Sequence, residues 1–306
     1  MTDRLRARLD AELRAREVDP IADAFPVGGG CISDTLQLRT RAGRRFFLKR
    51  PKGTAIPGLF AAEAHALERI ASTRTLRVPE VIACSDESAS PRADIPADAG
   101  SWLLLEWLEP GSADRATWER LGRALADMHR VDDDRFGWIE DNFIGTLPQS
   151  NTPSRSWADF WRDRRLRPQL DLALVNAVFT RAEAARFEAL LSALDELVGP
   201  AVGDRPSLLH GDLWSGNLHV LDAGEPSLID PAAYFGHREV DLAMAELFGG
   251  FDRRFFDAYR EAWPIAPGYE TRRRPLYQLY YLLVHVNLFG GAYRRSTLEA
   301  LTAIGF

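Results

Sequence analysis

Apolar residues recur along the chain at two periods. Near the start, Leu5, Leu9 and Leu13 stand four apart among charged residues. That spacing predicts an amphipathic helix over residues 2–17, with Thr2 or Asp3 as its cap, packed against the small group of strands that comes next. The period then shortens to two. Thr35-Leu36-Gln37-Leu38-Arg39-Thr40 alternates as a strand does, Arg41 to Arg44 reads as a turn, and Arg45 to Arg50 supplies the next strand. The helical period returns over residues 59–70, where Phe60, Ala64, Leu67 and Ile70 share a face. Val78 to Cys84 and Trp102 to Leu108 read as further strands, the first with Pro79 near its start. Beyond them the pattern is mostly helical. Trp118, Leu121, Leu125 and Met128 mark one face of a helix that His129 closes. Residues 157–175, 181–198 and 238–250 follow, then a largely apolar helix around 276–290.

Strands first and helices after predict an α+β chain in two lobes. A small lobe with an antiparallel sheet and a helix is expected over residues 1–108, and a larger, mainly helical lobe over 109–306. The 306 residues suffice for two cores.

The polar positions that interrupt this pattern cluster in one stretch, Leu208-Leu209-His210-Gly211-Asp212-Leu213-Trp214-Ser215-Gly216-Asn217, followed by Leu228-Ile229-Asp230-Pro231. Two short apolar runs each deliver a carboxylate, and Gly211 and Gly216 let the backbone turn tightly. An Asp, an Asn five residues on and a second Asp after a hairpin is the order used in phosphoryl transfer. The first takes the proton of the acceptor hydroxyl, and the other two hold Mg²⁺ against the phosphates of ATP. Asp212 is the candidate base. Asn217 and Asp230 are the candidate metal ligands.

Upstream, Gly28-Gly29-Gly30-Cys31-Ile32-Ser33 lies between two strands, and the next strand carries Lys49. Gly28, Gly29 and Gly30 fit a lid whose N–H groups close over phosphates, with Lys49 reaching the same groups. Lys49 and Lys52 are the only lysines, so a compact ammonium is kept here in a chain that otherwise uses arginine. Glu63 is the candidate partner of Lys49, with Glu68 its rival. Backbone groups near Glu106 and Leu108 are placed to meet the adenine edge. Cys31 reads either as a small, unreactive side chain or as an oxidisable thiol.

Composition narrows the partners. A net charge of −6 gives no basic patch for nucleic acid. No apolar run approaches a membrane span, and the charged N-terminus does not read as a signal peptide. Two distant cysteines suggest neither a disulfide framework nor a zinc site, so the cytoplasm is the expected compartment.

His210-Gly211-Asp212-Leu213-Trp214-Ser215-Gly216-Asn217, Ile229-Asp230-Pro231-Ala232 and Gly236-His237-Arg238-Glu239-Val240-Asp241 together resemble the fructosamine kinase (ketosamine 3-kinase) family. So do Phe136-Gly137 with Asn142-Phe143-Ile144-Gly145 and Pro148-Gln149-Ser150-Asn151, and Trp157-Ala158-Asp159-Phe160-Trp161. The resemblance implies a protein-kinase-like fold shared with aminoglycoside phosphotransferases. It also implies transfer of the ATP γ-phosphate to the 3-hydroxyl of a ketosamine, free or carried on a protein. It makes Asp241 a brace for the loop around Asp212; His285 and Asn287 read either as polar residues satisfied within a core helix or, as the resemblance implies, as acceptor-site residues. Trp214 either stacks on the acceptor or packs beneath its own loop. An aminoglycoside or an amino alcohol is the alternative acceptor. Asp230-Pro231-Ala232 in place of D-F-G, with no long activation segment, argues against protein-kinase regulation.

Overall fold

The structure, a computed structural model, describes residues 1–28, 33–85, 100–199 and 205–306. Gly29, Gly30, Cys31 and Ile32, and residues 86–99, lie outside the described residues.

Five strands form one antiparallel sheet: β1 (Ile21–Pro26), β2 (Ser33–Thr40), β3 (Arg45–Pro51), β4 (Val81–Ser85) and β5 (Trp102–Glu106), in the order β1-β2-β3-β5-β4. Register explains its two faces. Leu36 pairs with Leu48, and Leu48 with Leu104, so one face is continuous aliphatic surface. Helix α1 (Asp3–Arg14) covers that face with Leu5, Leu9 and Leu13, all buried. Thr2 caps the helix by accepting from the Leu5 N–H at 3.3 Å. On the other face, one residue out of phase, stand Lys49, Leu103 and Leu105. Helix α2 (Leu59–Thr73) packs there through Phe60, Ala64, Leu67 and Ile70, the face expected from its spacing. Val78 and Pro79 precede β4 and are not part of it.

After β5 the chain crosses to the helical lobe. Gly111 marks the crossing, because a Cβ there would lie 2.1 Å from the Leu221 carbonyl oxygen. The helix Arg115–His129 begins with a capping box between Asp114 and Thr117. Trp157–Val175 is helical as expected, but a π-helical turn, Arg162–Leu166, interrupts it. A second such turn, Tyr269–Arg273, precedes the helix Arg274–Phe289. The aperiodic stretch after Phe136 is a short hairpin, Asn142–Ile144 with Leu147–Gln149, whose strands are too brief to show a period. No helix among the described residues is long and apolar enough to cross a membrane.

Because α1 completes a core separate from that of the large lobe, Leu9→Ala should destabilise the protein by about 2–5 kcal/mol. A urea titration checks this; no shift in midpoint would show that α1 is a loosely attached appendage.

Candidate active site

The two runs singled out by sequence meet at the floor of the cleft between lobes. The short strand Ser207–Leu209 pairs with Tyr234–Gly236, and Leu218–Val220 pairs with Pro226–Leu228. These ladders fix both ends of the loop that carries Asp212. Gly211 sits at φ +82°, where a Cβ would lie 2.1 Å from the Ala232 carbonyl oxygen. Only glycine allows the Asp212 and Asp230 loops to touch in this way. Asp230 itself holds φ +55°, an uncommon conformation for a residue with a Cβ.

Asn217 Nδ2 donates to the Asp212 carbonyl at 2.9 Å and to Asp212 Oδ2 at 3.2 Å. With its amide N–H groups so used, Asn217 keeps Oδ1 as its oxygen donor, and it lines the same cavity as Asp230. Lys49 Nζ donates to Glu63 at 2.8 and 2.7 Å and to Asp230 Oδ1 at 2.9 Å. Glu63 is therefore the partner of Lys49, and exposed Glu68 is not. Burial alone would pull the Lys49 ammonium down, but the Asp230 and Glu63 carboxylates outweigh it and hold it above its ordinary value. Burial pushes the Glu63 carboxyl up, to about 7, against the pull of Lys49. Asp212 is likewise pushed up to about 7, first by burial, then by the charges of Asp230 and Asp241, while the Asn217 hydrogen bond opposes them.

The loop is braced from below. Asp241 Oδ2 accepts from the His210 N–H at 2.7 Å, and its Oδ1 accepts from the Gly211 N–H at 2.9 Å. His129 Nε2 lies 3.1 Å from Asp241, and Nδ1 lies 2.9 Å from the Tyr259 hydroxyl. Arg238 donates to that hydroxyl, so the hydroxyl proton goes to Nδ1 and the imidazole donates from Nε2 to Asp241. Burial lowers the pKa of His129, in keeping with this neutral form. His210 bridges the two runs, with Nε2 3.0 Å from the Ile229 carbonyl and Nδ1 accepting from the Asp212 N–H at 3.3 Å. The Tyr281 hydroxyl donates to the Gly211 carbonyl at 2.7 Å.

A second polar seam holds the Asp230 side, and sequence reasoning gave it no such role. Asn142 Nδ2 donates to the Ala233 carbonyl at 2.8 Å, and Gln149 and Asn151 both donate to Asn142 Oδ1, at 2.8 and 2.9 Å. Tyr280 donates to Gln149 at 2.6 Å. Arg165, wholly buried, donates to Asn151 Oδ1 and to the Ser150 carbonyl, both at 2.7 Å. Among the described residues no carboxylate pairs with it. Its guanidinium lies over the Tyr234 ring, 3.9 Å from the centroid, and takes stabilisation from the ring face instead. The π-helical turn supplies Arg165, just as the second supplies Arg273, which grips Glu239 at 2.6 and 2.9 Å. The signal available in sequence was the pair of blocks around Asn142–Asn151 and Trp157–Arg165, which the seam joins.

One cavity of about 940 Å³ is lined by Gly28, Lys49, Glu63, Glu106, Leu108, Asp212, Trp214, Asn217, Asp230 and His285. Glu106 gives its carboxylate to Arg77 and its N–H to the Glu80 carbonyl, which leaves the chain beyond it to face the cleft. Trp214 is 37% exposed, and its ring lies over Gly216, where a Cβ would come within 2.2 Å of the indole. It thus packs on its own loop and also shows surface to the cavity. His285 lines the cavity with Nδ1 2.8 Å from the Tyr281 carbonyl. Asn287 does not join them. Two residues further along the helix it turns away and donates to Gln169 at 2.9 and 2.8 Å, tying neighbouring helices together.

The family model for fructosamine kinase matches residues 7–304. A Synechocystis protein named as a candidate ketoamine kinase is 42% identical over 92% of this chain and 90% of its own. The chloroplastic protein-ribulosamine 3-kinase of Arabidopsis thaliana is 37% identical over 98% of this chain and 86% of its own. A crystal structure from Thermobifida fusca, named as a candidate fructosamine-3-kinase, superposes with TM-score 0.85 at 34% identity, covering 98% of this chain and 97% of that one. The chain belongs to the fructosamine kinase family, and its fold is the two-lobed, protein-kinase-like one.

Asp241 satisfies two backbone donors at once, and an Asn there offers one acceptor oxygen. Asp241→Asn should therefore cost about 1–3 kcal/mol in stability and lower turnover. Arg165→Met, which strips the seam of its charged donor, should cost about 3 kcal/mol. Thermal melts of both variants beside their kinetics check this; unchanged melting and turnover would remove the bracing role.

Proposed function

We propose that this fructosamine kinase family member transfers the γ-phosphoryl group of ATP to the 3-hydroxyl of a ketosamine, such as a fructosamine or ribulosamine, free or protein-bound. The observation that carries the reading is the contact between Lys49 and Asp230, which joins the phosphate-handling groups of both lobes beside Asp212 and Asn217. The ketosamine acceptor rests on the names of relatives that match nearly the whole chain.

Mg²⁺ fits the donor set. Asp230 and Asn217 each offer an oxygen donor in the same cavity. Among the described residues no cluster of three or more His, Cys, Asp or Glu could hold a metal alone. Such a pair suits an ion that completes its shell with phosphate oxygens and water. When bound, the ion would neutralise charge on the phosphates. The residues do the rest. Lys49, held by Glu63, offers a fixed ammonium to phosphate oxygens. Gly28 borders the same cavity, and the chain at Glu106 to Leu108 supplies backbone groups for the adenine edge. Asp212 orients the acceptor hydroxyl and takes its proton, a task for which a carboxyl poised near 7 is suited. Trp214 and His285 border the acceptor.

The ionised form of Asp212 is the active one. kcat/KM should rise with pH and level off above about 7. Added Mg²⁺, by neutralising Asp230, should move this limb to lower pH; pH–rate profiles at two Mg²⁺ concentrations check both. Asp212→Asn should lower turnover by about 10²–10⁴-fold. The same substitution should also stabilise the fold at pH 8. The folded-state pKa lies above the unfolded value, so wild-type stability falls as pH rises through that interval, and Asn removes the loss, worth ~1–2 kcal/mol after solvent screening.

Mg-dependent ADP release with fructosyl- and ribulosyl-lysine, a glycated protein, an aminoglycoside and choline tests the acceptor. Turnover of ketosamines that is lost in Asp212→Asn is expected. Turnover confined to the aminoglycoside or choline would overturn the reading.

A further inference from the structure

Beyond Asp212 the cavity changes character. Its wall there is aromatic and comes from two helix ends of the large lobe. His285 lies at the centre, with ring centroids 4.7 Å from Phe248, 4.9 Å from Tyr293 and 5.5 Å from Phe289. Seven large hydrophobic side chains are exposed among the described residues, and three of them, Trp214, Phe248 and Phe289, line this one cavity. Exposed aromatic surface gathered on one wall marks a binding face, where scattered exposure would not. The wall is tied to the Asp212 loop. Gly250, at φ +94°, lies so close to Ser215 that a Cβ there would come within 2.5 Å of that side chain. The turn after Phe248 therefore rests on the residue beside Trp214.

Charge selects the occupant. Among the lining residues, Glu63, Glu106, Asp212 and Asp230 are acidic; Glu106 is paired with Arg77, and Lys49 is already shared between Glu63 and Asp230. Phe248, Phe289, Tyr293 and Trp214 add no charge. His285 Nδ1 faces the Tyr281 carbonyl oxygen and so carries the ring proton, leaving Nε2 as a lone-pair acceptor. Burial lowers the pKa of His285 and keeps it neutral. An uncharged aromatic wall beside a carboxylate attracts a cation through the ring faces. A ketosamine has such a cation. Its amine nitrogen is four bonds from the 3-hydroxyl oxygen, and it is protonated at neutral pH.

We propose that Phe248, Phe289 and Tyr293, grouped around His285, form a subsite for the secondary ammonium of the acceptor and its alkyl substituent. The subsite rests on the ketosamine reading above and sets acceptor affinity. Trp214 closes it on the Asp212 side.

The test uses the full chain and the double variant Phe248→Leu with Phe289→Leu. Leucine keeps apolar bulk and removes the ring faces, and both positions are exposed, so folding is spared. Two acceptors are compared, an N-hexyl ketosamine and its neutral N-hexanoyl counterpart. The variant should raise KM for the N-hexyl amine about five- to thirtyfold. The KM for the N-hexanoyl compound, the KM for ATP and the melting temperature should be unchanged. A parallel rise for both acceptors would mean plain apolar packing and would overturn the ammonium site, as would no change for either. If the wild type turned over neither these compounds nor any other ketosamine, the function reading would fall, and the subsite with it. Wild-type turnover with an unmoved KM in the variant would sink the subsite alone.

Discussion

A buried ammonium has to be compensated on every side, and the site is arranged around that demand. Lys49 takes one carboxylate from the small lobe, Glu63, and one from the large lobe, Asp230. Removing a partner would leave an uncompensated charge in a poorly solvated place. The compensation is also geometric. Glu63 is aimed by α2, whose apolar face is seated on the sheet, and Asp230 by a loop pinned under Gly211. The charge on one strand thus ties together elements separated by most of the chain length.

The rest of the large lobe serves to keep the two carboxylate loops in place. Asp241 and His129 hold the Asp212 loop through its backbone N–H groups, and Asn142, Gln149 and Asn151 hold the Asp230 side through backbone carbonyls. Both arrangements are deeply buried. A buried polar network is stiff, because any displacement strands a donor or acceptor without water. Positioning of this sort is what phosphoryl transfer asks of a protein.

Much of this was legible in the sequence, for physical reasons. Periodicity found α1, α2 and the sheet, since burial of one face imposes it. Glu63 was distinguishable because it sits next to the apolar face of its helix, whereas Glu68 points to solvent. Other features left no mark. A π-helical turn adds one residue and shifts the phase of the helix that carries it, so the spacing around Arg165 did not show that its side chain is buried. Asn142–Gln149 is a hairpin of three-residue strands, too short for alternation to register. Asn287 was misplaced for a simpler reason. A polar residue in an apolar helix can face a cleft or a neighbouring helix, and sequence does not distinguish the two.

The contacts of Gly216 with Trp214 and of Gly250 with Ser215 limit how this chain can drift. Each glycine is the vacancy into which a particular neighbour fits, so neither glycine can gain a side chain while that neighbour stays in place. A lineage moving toward a different acceptor would have to cross a sequence in which the loop and the turn no longer fit one another. The neighbourhood of Trp214 should therefore evolve in jumps of several positions at once, and single substitutions introduced there by design will find the same barrier.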